Sequence, residues 1–318
     1  MKPIRNNVIA MLCSSFALLF TACNSNNPTS SDTPTSGDIA ISVDETFKPI
    51  IDSELFVFHA LYKNAHVRVH YVSEAQCFKD LMNDSVRLVI TTRKLNQQEL
   101  DYFHSAKYYP TETGIAKDGI AIIVNNKNTD TLFTVQQLKD ILSGKINTWK
   151  GISANSKLSG IQLVFDNATS STMRYMKDSL LHATTLPANV FAAQTNQEVI
   201  QYVIKNENAI GIIGVNWCKE VADSNTLNFS SKIRVAGIEG EVKQEVDFPQ
   251  PYQAYISQGW YPLSRTIYTI SREARAGLGT GFVSFLASDR GQRIILKSGL
   301  VPATMPIRIL SYNKNKKV

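Results

Sequence analysis

The segment "IQLVFDNATSSTMRYM", residues 161–176, sets seven small or polar residues, Asp166 to Thr172, between a five-residue apolar run and a helical pattern. A helix start leaves its first backbone N–H groups without intrahelical partners and carries a partial positive charge. Ser170, Ser171 and Thr172 add three hydroxyls there. Together they make a neutral oxyanion cradle that needs no metal. A simpler role is also open, because Thr169 or Ser170 can serve only as a helix cap. The local pattern favours the cap.

Two further turns have the same chemistry. "TTRK", residues 91–94, follows the buried strand "VRLVI", at the carboxyl end where open α/β sheets bind ligands. Thr92 offers a hydroxyl, and Arg93 offers a planar fork of donors; a solvated surface arginine is the alternative. Thr46 stands where "SVDET" meets the first long helix. Asp44 and Glu45 beside it suit a helix start and would repel an anion that they faced.

Nucleophilic and metal chemistry find less support. The clustered serines have no Gly-x-Ser-x-Gly elbow, and the nearest histidine, His182, follows at the far end of the helix. His59, His66, His70 and His104 lack metal-ligand spacing. Cys77 and Cys218 are too few and too far apart for a disulfide framework and read as buried free thiols. No enzyme activity, metal or cofactor is expected.

The elements that hold these turns alternate short apolar runs with amphipathic helices, which argues an α/β fold. Phe47, Ile50, Ile51, Leu55, Phe58 and Leu61 share helical spacing. Ser73/Gln76, Asn96/Glu99, Thr134/Gln137 and Thr195/Glu198 have cap spacing, and Gly144 is a helix stop. Strands are predicted at "VRVHYV", "VRLVI", "DGIAIIVN", "IQLVF", "AIGIIG", "KIRVAGI" and "YPLSRTIYTIS". A helix is predicted from about Thr172 to Leu181, with Met173, Met176 and Leu180 facing the core.

The N-terminus reads as an address. Lys2 and Arg5 precede an apolar stretch, Val8 to Phe20, and "LLFTAC" ends at Cys23. This pattern resembles a bacterial lipobox, with residues 1–22 removed and Cys23 lipidated; an ordinary cleaved signal is the alternative. Residues 23–37 are polar and rich in Ser, Thr, Asn and Pro, as in a flexible tether. Loss of Lys2 and Arg5 lowers the formal charge from +6 to +4. That excess and the basic tail "NKNKK" give little reason to propose nucleic acid.

The order of the motifs resembles the phosphate-binding substrate-binding proteins of bacterial ABC importers. The match runs through "AKDGIAIIVNNKNTDTLFTVQQLKDILSGKINTWKG", residues 116–151, with its Gly-Lys-Ile-x-x-Trp ending. It continues in "NENAIGIIG", "YPLSRTIYTIS" and "GFVSFLASDRGQRIILKSGLVPA". The resemblance implies a type II periplasmic-binding-protein fold: two lobes joined by two crossing strands, with a ligand cleft between them. Lobe I would be residues 38–116 plus 254–318, and lobe II residues 117–253. It implies a monomeric, lipid-anchored protein on the periplasmic face of a bacterial membrane that passes phosphate or a related oxyanion to an ABC permease. The alternative is a sensor or scaffold lipoprotein with altered or no anion binding. By the same resemblance Thr46, Thr92, Arg93, Asn167, Ser170, Ser171 and Thr172 would hold the ligand. Ser170–Thr172 occupy the family's Ser-Gly-Thr. Its upstream Arg is replaced near Asp166 and Asn167, and its proton-accepting Asp gives way to Arg93. A site without that carboxylate would not repel a fully deprotonated anion such as sulfate.

Overall fold

The computed structural model describes residues 32–182, 190–219, 230–240 and 246–307. The leader 1–22, Cys23, most of the tether and the basic tail lie outside the described residues. In chain order the first elements are β1 (Gly37–Asp44), α1 (Lys48–Leu61), β2 (Ala65–Val72), α2 (Glu74–Met82), β3 (Leu88–Thr91), α3 (Gln97–Ser105) and β4 (Thr111–Asn125). Next come β5 (Leu132–Phe133), α4 (Val135–Leu142), β6 (Gln162–Phe165), α5 (Ser171–Tyr175), β7 (Val190–Ala192), α6 (Asn196–Lys205) and β8 (Ala209–Gly214). The chain continues through β9 (Ile233–Val235), β10 (Gly237–Ile238), α7 (Gln253–Ser257), β11 (Ser264–Ser271), α8 (Leu278–Ala287), α9 (Asp289–Lys297) and β12 (Val301–Pro302).

The helices begin where short polar side chains satisfy their exposed N–H groups. Ser73, Asn96, Thr134 and Thr195 accept from the backbone of Gln76, Glu99, Gln137 and Glu198. At Asn96 and Thr134 the third helical residue bonds back to the cap, which completes a reciprocal pair. Gly144 ends α4 at φ +79°, a conformation that costs other residues a Cβ clash.

One strand joins two lobes. The main sheet runs β2-β1-β3-β11-β4-β8-β6-β7. Parallel β1, β2 and β3 require crossovers, which α1 and α2 supply. Likewise β8, β6 and β7 are parallel to one another. β4 is antiparallel to β11 over residues 111–119 and to β8 over residues 120–124. It therefore serves both lobes, and the chain returns beside it, where the Leu263 carbonyl accepts from the Ile120 N–H.

Each lobe has its own core. Ile41, Val43, Phe47, Phe58 and Phe282 cluster in the first, and Trp149, Phe133, Phe165, Met176 and Ile212 in the second. Cys77 and Cys218 are buried and free. Among the described residues no helix is long and apolar enough to cross a membrane.

Two local predictions change. "KIRVAGI" divides into β9 on β4 and β10 on β5, because after Val235 the backbone leaves one sheet to pair in the other. The helix expected over 172–181 is five residues of α5 followed by a π-helical stretch, Met176–Leu181, that closes at His182 with φ +51°. Met173, Met176 and Leu180 are nonetheless buried as expected.

Gly211 in β8 tests how tightly the second lobe packs. A Cβ there would lie 2.7 Å from Val203, 2.8 Å from Ile123 and 2.9 Å from Val199 side-chain carbons. Gly211→Ala is expected to lower the urea-unfolding free energy by about 1–3 kcal/mol.

Candidate functional site

The site lies at the carboxyl ends of β1, β3 and β6, and its governing feature is buried acid. Asp44 ends β1 with no exposed surface. Its Oδ1 accepts the Thr46 N–H at 2.9 Å and caps the 3-10 turn Glu45–Phe47. Its Oδ2 accepts the Ser171 N–H at 3.1 Å, from the first residue of α5.

Asp166 follows β6 and binds the other side of that turn. Oδ1 accepts the Ser170 hydroxyl at 2.6 Å. Oδ2 accepts the Asn196 amide at 3.1 Å and the Thr46 hydroxyl at 3.4 Å. The Ser170 oxygen in turn accepts the Met173 N–H, so Ser170 is the α5 cap. Asn196 also donates from its backbone and amide to Glu45 Oε2, at 3.2 and 2.6 Å.

One guanidinium faces this cluster. Arg265 of β11 donates from Nε to Asp118 Oδ2 at 2.9 Å and from Nη1 to the Ser171 hydroxyl at 2.9 Å. The crowding around it is close. A Cβ at Gly214 would meet Thr46, Asn216 and Asp118 side-chain atoms within 3.5 Å. The Thr172 hydroxyl, Asn216 Oδ1 and Asp118 Oδ1 are buried without a hydrogen-bond partner. Such groups are costly in an apolar interior and mark a polar locus equipped to bond something more.

Burial pushes these acids toward their neutral forms. Asp166 rises to about 6, chiefly through burial, with the Asp44 charge adding to it. Glu45 rises to about 7, again through burial, against the pull of Asn196. Asp44 is raised by burial and by Glu74, and Arg265 opposes the shift. Asp118 is raised by burial, and Arg265 again opposes it.

The sequence-predicted residues fall into two groups. Thr46, Ser170 and Ser171 come together around Asp44, Asp166 and Arg265, and Thr172 follows them in α5 with its hydroxyl buried and unpartnered. Thr92, Arg93 and Asn167 lie outside that locus. Thr92 donates from its backbone and hydroxyl to Glu74 Oε1, at 2.7 and 2.8 Å, and Arg174 binds Glu74 Oε2 and the Thr92 hydroxyl. Burial works against the Glu74 charge, but Arg174 and the Thr92 donors hold its pKa below the usual value.

The Arg93 fork pairs with both Glu99 oxygens, at 2.7 and 2.8 Å, over the Phe78 ring. Asn167 accepts from the Thr169 backbone. A cavity of about 280 Å³, open to solvent, is lined by Glu74, Phe78, Arg93, Thr169, Ser170 and Arg174, so Arg93 and Ser170 share one opening.

Although Arg93 stands where the family's proton-accepting Asp is expected, carboxylates reach this locus. The carboxylates come from other elements: Asp44 from β1, Glu74 from α2 and Asp166 from the turn itself. Arg265 and Asp118 had a sequence signal that the motif reading passed over. Arg265 alternates with Ile267 and Thr269 on the buried face of β11, and a charge there requires a partner. Among the described residues no group of three His, Cys, Asp or Glu side chains has metal-binding geometry.

A family model described as a PBP superfamily domain matches residues 28–290. The phosphate-binding protein PstS of Staphylococcus epidermidis is 24% identical over 281 residues, 87% of this chain and 82% of the relative. PstS of Staphylococcus aureus is 23% identical over 280 residues, 86% and 81% of the two chains. A crystal structure described as a phosphate ABC transporter substrate-binding protein with bound phosphate, from Clostridium perfringens, superposes with TM-score 0.71 at 21% identity. It covers 84% of this chain and 100% of its own. An ABC-type phosphate transport receptor from Vibrio cholerae gives 0.62 at 22% identity, covering 85% and 100%. The chain belongs to the PBP superfamily and has its two-lobe α/β fold.

The raised acids fix the sign of a pH effect. Asp166 binds its proton more tightly folded than unfolded, so its contribution is fully present below the unfolded value of 3.8 and is lost as pH rises through about 6. Glu45 acts in the same direction from 4.5 to about 7. Thermal melting is expected to fall between pH 5 and 7.5. Asp166→Asn is expected to flatten that fall, by about 1.4 kcal/mol.

Proposed function

We propose that this chain is a solute-binding protein that captures phosphate, in a protonated form, in the cleft between its lobes and delivers it to an ABC permease. The relatives and structural neighbours named above support the class of solute. The observation that carries the reading is the meeting of the 170–172 turn, Thr46 and the Arg265 guanidinium at one buried locus, with the Thr172 hydroxyl unpartnered there.

In this reading Thr46, Ser170, Ser171, Thr172 and Arg265 donate to the anion. Asp166 accepts a proton that the solute carries. A carboxylate opposite an oxyanion is repulsive unless a proton lies between them. The site therefore selects by protonation. Sulfate, which carries no proton at neutral pH, is rejected, contrary to what the loss of the family's Asp implied. Thr92, Arg93 and Asn167 belong to the mouth of the cleft. Capture rather than catalysis fits Ser170, whose hydroxyl donates to a carboxylate and not to a histidine.

Lobe I is taken as residues 38–116 plus 254–318 and lobe II as 117–253. Ile256, Tyr261 and Leu263 nevertheless pack in the second core, so the return crossing is read at the start of β11, near residue 264, rather than at residue 254. The protein is read as a monomer anchored by lipid on Cys23 at the periplasmic face of a bacterial membrane. A sensor or scaffold role is the second reading. It is favoured by how fully internal carboxylates already engage the donors.

Isothermal titration at pH 6 and pH 8 separates these readings. Phosphate is expected to bind at pH 6 and at least about tenfold more weakly at pH 8, as the solute loses one of the protons that it can offer to Asp166 and the ionised Glu45 adds negative charge. Sulfate is expected to give no heat. Silence with phosphate at both pH values, or equal binding of sulfate, would remove the phosphate reading.

A further inference from the structure

Asp44 holds the same donors that an oxyanion would need. Its two oxygens accept the backbone N–H groups of Thr46 and Ser171, which lie on opposite sides of the cleft and 125 positions apart in sequence. It is fully buried, and Arg265 supplies positive charge nearby. A carboxylate in this position has the charge, the planar acceptor pair and the partners of a bound anion.

We propose that Asp44 is a tethered internal anion that braces the two lobes together and competes with the solute for the Thr46 and Ser171 N–H groups, making it a specificity-determining residue of the cleft. The proposal rests on the reading of this cleft as an anion site. A group fixed to the chain acts at a high effective concentration, so a free anion must outbid it with contacts that Asp44 does not make. Arg265 and the unpartnered Thr172 hydroxyl offer such contacts. A solute bearing a proton gains one more, because it can donate to Asp166. A fully deprotonated oxyanion gains nothing from the exchange and meets two carboxylates.

The experiment compares the full mature chain with its Asp44→Asn and Asp44→Ala variants, each checked for cooperative melting. Inorganic phosphate and sulfate are titrated calorimetrically. Small-angle scattering gives the radius of gyration without solute. Asp44→Asn keeps the volume and removes the charge, and is expected to bind phosphate about ten- to a hundredfold more tightly and to begin binding sulfate. Asp44→Ala removes both bonds and is expected to enlarge the solute-free radius of gyration as the lobes part.

Folded variants with parental affinity and parental radius would overturn the proposal, and so would loss of phosphate binding in Asp44→Asn, which would make Asp44 a direct ligand contact. If no form binds phosphate but Asp44→Ala expands, the brace stands and the phosphate reading alone fails.

Discussion

The buried guanidinium of Arg265 offsets the cluster of acids in the interior of this protein. Arg265 bonds Asp118 and Ser171 directly, and its charge also opposes the raised pKa values of Asp44 and Asp166. Three buried aspartates around one cation would repel one another if all were ionised. They coexist because each is hydrogen-bonded and because the Arg265 charge opposes the burial that raises their pKa values. Removing the cation would leave the acids desolvated with only neutral donors, the costly arrangement for buried ions.

That electrostatic arrangement gives the fold its bearing on function. Hinged lobes close on a solute when bonds made across the cleft outweigh the open state. Here bonds across the cleft exist within the chain itself: Asp44 to Ser171, Thr46 to Asp166, Asn196 to Glu45 and Arg174 to Glu74. The closed arrangement is thus held by internal ion and hydrogen-bond pairs. In the proposed capture, a solute would exchange partners with them rather than fill an unbonded space.

Local chemistry was legible along the chain wherever it is local in fact. The caps at Ser73, Asn96, Thr134 and Thr195 depend on residues three positions apart, and all four formed. The 170–172 turn and Thr46 were legible because each follows a strand and starts a helical turn. Arg93 was harder to read. Its position after β3 is that of a ligand donor, yet its fork turns to Glu99, six residues on, which the same sequence also shows as a helix-capping acid. The continuation of β4 back to Thr111 left little trace, because its first residues pair with β11, some 150 positions away.

The sequence by itself determined the alternation of strands and helices, their caps, the buried thiols and the hydroxyl-rich turn. Each rests on periodicity or on partners a few residues apart. Tertiary structure decided the electrostatic character of the cleft. Asp44, Glu74, Asp118, Asp166, Arg174 and Arg265 come from separate elements, and no spacing rule relates them. Their charges acquire meaning only when the crossing strands bring them within a few ångströms in a medium that screens poorly, where each buried charge must find a partner.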